Sequence, residues 1–78
     1  MFVSVQSLTT VIDERLQYLK EARENKNNFE KSVFEEYENK MKKTLENNLI
    51  KLKQISCNKK LIERYEKKIN EAIEQIEK

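Results

Sequence analysis

The amino-acid sequence predicts an all-α protein, either a long antiparallel helical hairpin or a three-helix arrangement with coiled-coil-like packing, on three observations. Glycine and proline are absent, so the chain lacks the residues that supply left-handed turns, sharp stops and hairpin corners. Apolar residues recur at steps of three and four, the signature of one buried helix face. Lysine and glutamate are interleaved at helical spacings, and 38% charged residues stand beside 37% hydrophobic ones. That balance departs from the low hydrophobicity and high net charge of disordered chains.

Helix by helix, the pattern divides the chain at about 7–24, 28–55 and 59–76, behind a short apolar arm at 1–6. Ser7 is the expected cap of the first helix, with Asp13 and Glu14 favouring the positive end of its dipole. Leu8, Val11, Ile12, Leu16, Leu19 and Ala22 form its stripe. Asn25, Asn27 and Asn28 then interrupt the pattern with residues that compete for backbone hydrogen bonds. Asn27 and Glu30 have the spacing of a capping box. A continuous helix is the alternative, because apolar positions from Leu8 to Ile55 recur every ~3.6 residues with only Lys26 breaking the run.

The second helix carries Phe29, Val33, Phe34, Tyr37, Met41, Leu45, Leu49, Leu52 and Ile55. Most fall in one sector centred on Met41. Phe29 lies off that sector and Ile50 points the opposite way. Asn48 falls inside it, where a lone asparagine either fixes register or faces water across a short seam. Ser56-Cys57-Asn58 is the second joint, with Asn58 as the cap of a third helix. There Ile62, Tyr65, Ile69, Ala72 and Ile76 repeat in 3-4-3-4 spacing, widened by Leu61 and Ile73. Helices of these lengths span ~26, ~42 and ~27 Å, so the middle one outreaches both neighbours. Some of its apolar stripe is expected to stay uncovered.

Composition argues against catalysis. Without histidine, the commonest general base near neutral pH and the usual metal ligand are missing. Without glycine there is no phosphate-cradling loop. Glu35, Glu36 and Glu38 read as a solvated face. Neither a cofactor nor a metal site is expected. Cys57 is the only cysteine, which excludes an internal disulfide and fits a reducing compartment, the cytoplasm by default. It is either a small buried hydrophobe at the joint or a thiol activated by Lys53, Lys59 and Lys60. The start of the chain, with Phe2, Val3 and Val5, has neither a signal-peptide pattern nor a membrane-spanning run.

The expected function is therefore non-enzymatic protein binding, as a small adaptor, inhibitor or chaperone-like accessory protein. Phe2, Val3, Tyr18, Phe29 and Ile50 are its candidate contact residues, because they fit the buried stripes least well and large apolar side chains dominate interfaces. A nucleic-acid reading rests on seven lysines between Lys40 and Lys60 against the single acid Glu46, a local charge of +6. Lys42, Lys43, Lys59 and Lys60 would then hold the phosphates. That stretch has no arginine and no interleaved aromatic, however, and its lysines flank the apolar stripe on both sides, where alkyl stems usually cover it. The formal net charge is only +2. A self-associating scaffold is the third reading, since a chain of 78 residues buries little by itself. In composition the chain resembles accessory proteins of AT-rich bacteria or their phages, without a family motif.

Overall fold

The structure, a computed structural model, describes residues 4–77. Three α-helices follow one another: α1 (Val5–Glu24), α2 (Lys31–Ile55) and α3 (Lys59–Glu77), with a 3₁₀ turn, Lys26–Asn28, between the first two. The all-α prediction holds in its three-helix form. Both joints reverse the chain, which excludes the continuous helix.

The first helix begins earlier than its pattern indicates. Ser4, in extended conformation, caps it by accepting a hydrogen bond from the Ser7 amide at 3.1 Å. Ser7 is thus the capped residue and not the cap. Val5 joins α1 and packs against the core, so residues 5 and 6 are helix and not arm; Phe2 and Val3 lie outside the described residues. The earlier start also moves Asp13 and Glu14 beyond the first turn, where a helix dipole has lost its influence.

At its other end α1 stops on Asn25, whose side chain donates to the Glu21 carbonyl at 2.9 Å. Its amide shares the same region of the last turn. The Asn27–Glu30 capping box does not form. Asn27 is spent in the 3₁₀ turn, and Glu30 itself stands at the cap position of α2 without a side-chain hydrogen bond to the helix. Phe29 and Glu30 are extended, with φ of −115° and −65°. Two extended residues after a tight turn reverse the chain without a left-handed residue, so the lack of glycine is no obstacle.

The α2–α3 joint follows the sequence more closely. Asn58 accepts from the Leu61 amide at 3.1 Å, which is the expected cap, while its own amide donates to Ser56 Oγ at 3.1 Å. Cys57 is exposed between them, so burial in the joint is corrected.

Cross-links give the topology. Arg15 reaches Asn48, and Arg23 reaches Glu38, so α1 and α2 run antiparallel. Lys53 pairs with Glu66 at 2.7 Å, which makes α2 and α3 antiparallel. Asp13 meets Tyr65 and Arg23 meets Gln75, so α1 and α3 are parallel. The bundle is up-down-up, and α1 packs less closely against α3 than either packs against α2.

Its core is one cluster: Leu8, Ile12, Leu19, Leu45, Leu52, Tyr65 and Ile69. No polar or charged residue is buried among the described residues. Each of these side chains stabilises the fold by about 1.5–3 kcal/mol relative to exposure. Leu16, Tyr37, Met41, Leu49, Leu61, Ile62, Ala72, Ile73 and Ile76 pack partly buried around them. Phe34 does not join this shell, although its place in the stripe assigns it there.

The molecule measures 40 × 26 × 16 Å. Its long dimension matches the ~38 Å of 25 helical residues, whereas α1 and α3 reach only ~30 and ~28 Å. A radius of gyration of 13.3 Å exceeds the ~11.5 Å of a compact chain this long. Both apolar ends of α2 accordingly stay open, with Val33 and Ile55 exposed.

Ile12→Ala is expected to lower unfolding stability by about 2–5 kcal/mol in urea titrations, while Ile50→Ala, on the exposed face, changes it by less than about 0.5 kcal/mol. Asn58→Ala is expected to cost about 1 kcal/mol and Asn58→Gly only a few tenths, which separates a cap from a packing role.

Candidate docking groove

Tyr18 stands one residue before the buried Leu19, about 100° round α1 from the core line, and this places its ring on the flank facing α2. Ala22, one turn further, is too small to fill the space beside it. The 3₁₀ turn then carries the chain across the end of α1 and returns Phe29 to the same flank. Phe34 stacks on Phe29 with ring centroids 6.2 Å apart and planes 27° from parallel.

Together with Glu21, Asn25, Val33 and Tyr37, these residues enclose an open groove of about 360 Å³. Four aromatic rings line it. Tyr18, Phe29 and Val33 remain 56, 46 and 51% exposed, far more than packing on the core would leave. Two of the contact residues expected from sequence, Tyr18 and Phe29, are thereby brought together from either side of the turn.

Glu21 is the charged residue of the lining, and its Oε1 accepts a hydrogen bond from Gln17 at 3.1 Å. Tyr37 lies below it. Burial pushes the Tyr37 phenol above its ordinary value, and the Glu21 carboxylate pushes it further in the same direction. The groove is therefore apolar in its walls and negative at one edge.

Ile50 does not belong to this site. It is exposed and about 180° round α2 from Met41, so a single surface laid on Tyr18 and Phe29 cannot reach it. Val33 and Phe34 were hidden from sequence reasoning by their positions on the α2 stripe. The signal was the length of α1: a partner helix ending at Glu24 leaves the first turn of α2 without cover.

The basic run disperses in space. Lys42 and Lys43 sit in the middle of α2, while Lys59 and Lys60 open α3, roughly 20 Å further along the α2 axis. Lys40 pairs with Glu36 at 3.2 Å and Lys53 with Glu66. A run of +6 in sequence is thus divided between the middle and one end of the bundle and partly neutralised. Among the described residues no group of three or more metal-ligating side chains comes together, and no helix is long and apolar enough to cross a membrane.

Three polar cross-links between the helices were not legible beforehand. The Arg23 guanidinium donates through Nη2 to the Gln75 carbonyl at 3.1 Å and holds Nη1 3.4 Å from Glu38 Oε2, an ion pair without hydrogen-bond geometry. One side chain so ties all three helices. Asn48, half-buried on α2, accepts from Arg15 of α1 across the seam between the two helices. Tyr65 donates to Asp13 Oδ2 at 2.9 Å, beneath Lys68, whose ammonium lies 5.0 Å from the ring centre and 3.6 Å from Asp13 Oδ1.

Compared with known protein families, with curated proteins and with solved structures, the chain has no match.

Burial first, then the hydrogen bond and charge of Asp13, raise the Tyr65 phenol above its ordinary value, against smaller opposing effects of Thr9 and Arg64. A group that keeps its proton more tightly when folded stabilises the fold below its unfolded pKa near 10 and loses that contribution as pH climbs through the higher folded value. Tyr65→Phe is expected to cost about 1–2 kcal/mol at neutral pH. Urea titrations at increasing pH above about 10 should show the gap to the natural protein narrowing; a gap constant with pH would detach Tyr65 from this effect.

Proposed function

We propose that the chain is a non-enzymatic protein-binding module, a small adaptor, inhibitor or chaperone-like accessory protein. It docks on a larger protein through the groove formed by α1, the 3₁₀ turn and the first turns of α2. One observation carries this reading. Residues from three separate segments, each half exposed, converge on one apolar recess, whereas exposed apolar residues that serve no contact are usually scattered singly. Ile50 is such a scattered residue.

Aromatic anchors suit this role, because each offers a large contact area for few rotatable bonds. The bundle supports them rigidly: Tyr18 and Ala22 belong to α1, whose neighbouring Leu19 is buried in the core. Phosphate-backbone binding draws less support, since its four lysines are dispersed. The exposed Cys57 suits a reducing compartment such as the cytoplasm.

Photo-crosslinking from single positions tests the proposal. A benzophenone side chain at position 18, 29 or 33 is expected to yield the same adduct with one protein in the native host, and at position 50 none. Phe29→Ala should reduce that adduct from position 18 without moving the melting temperature by more than a few degrees. Equal adducts from position 50, or none from any groove position, would overturn the reading.

A further inference from the structure

Resting on that reading, we propose that the groove takes an arginine-bearing apolar segment of its protein partner, the guanidinium seated against the aromatic rings beside the Glu21 carboxylate. The argument is one of charge and size. Tyr18, Phe29, Phe34 and Tyr37 supply four rings, Glu21 supplies a carboxylate, and no lysine or arginine lines the recess. Aromatic faces carry the negative part of a ring's quadrupole and attract cations, guanidinium more often than ammonium. A planar guanidinium also stacks on a ring while donating to a carboxylate, which an ammonium cannot do equally well.

Glu21 is suited to such a partner. Its hydrogen-bond donor, Gln17, is a neutral amide, so the negative charge is not cancelled at the groove edge. The upward push that Glu21 exerts on the Tyr37 phenol reflects the same field inside the recess. At the turn the exposed Glu30 is balanced by Lys26 and Lys31, so the negative edge of the recess is Glu21 alone, and an acidic segment would meet repulsion at that edge.

Size favours a short segment over a whole globular face, that of a second copy included. The exposed parts of Tyr18, Phe29 and Val33 offer roughly 300 Å², against the ~800 Å² per partner of a stable interface. A volume of about 360 Å³ lies near the lower limit of small-ligand sites, ~300–1,000 Å³. That accommodates one long side chain with an apolar neighbour, inserted end-on.

Phenethylguanidinium and its neutral isostere phenethylurea are the probes, titrated into the full isotope-labelled chain and followed by heteronuclear NMR. Shifts are expected at Tyr18, Val33 and Phe34, with the guanidinium binding about five- to tenfold more tightly at low salt. Glu21→Gln should reduce that preference to about twofold, and Phe29→Ala should weaken both probes. Equal binding of the two probes, a preference unchanged in Glu21→Gln, or no shift at groove residues with either would each overturn the inference. Equal binding leaves the docking reading standing, because that reading fails separately, on the crosslinks from positions 18 and 29.

Discussion

The apolar stripe of α2 is longer than the helices available to cover it, and most of the molecule's surface chemistry follows from that mismatch. At mid-length the stripe lies between α1 and α3, and Leu45 and Leu52 are fully enclosed. Toward the start of α2 the cover fails, because α1 ends at Glu24 and the next residues are committed to the turn. Shortening α2 would not remove the problem cleanly, since Phe29 belongs to the turn itself. The exposed aromatics are thus a geometric consequence of three unequal rods packed side by side, placed where two of them meet.

Polar contacts perform a different task from the core. A stripe of leucine and isoleucine holds helices together without specifying how far each slides along its neighbour, since dispersion and hydrophobic burial are non-directional. Arg23, bound to both Glu38 and Gln75, and the Asp13–Tyr65–Lys68 group remove that freedom between α1 and its neighbours. Arg23 lies on the flank, whereas Tyr65 places its ring in the core and satisfies its hydroxyl on the half-exposed Asp13, since an unpaired polar atom there would be costly. Register matters for the groove: a slide of one turn would carry Tyr18 ~5.4 Å away from Phe29 and Phe34 and open the recess.

Reversing direction without glycine adds its own constraint. Both joints use extended residues and asparagine side chains in place of left-handed backbone, and no residue described has positive φ. At the first joint this needs a longer excursion than a glycine turn, and the excursion delivers Phe29 to the flank of α1. The second joint is shorter, and no comparable aromatic feature arises there.

Helix content, the number of helices, the Asn58 cap and the excess length of α2 were all legible in the sequence, because each depends on local spacing or local backbone chemistry. Tyr18 and Phe29 were also marked out, by their misfit to the stripes. The capping box at Asn27 and Glu30 and the start at Ser7 were misread for a local reason: several residues nearby can cap, and which one does depends on where the first turn packs. Register, the cross-links of Arg15, Arg23 and Asp13, the dispersal of the lysines and the convergence of Tyr18, Phe29, Val33 and Phe34 belong to the tertiary structure alone. These are distances between segments far apart in the chain, set by how three rods slide and end against one another, and no periodicity within a single rod contains them.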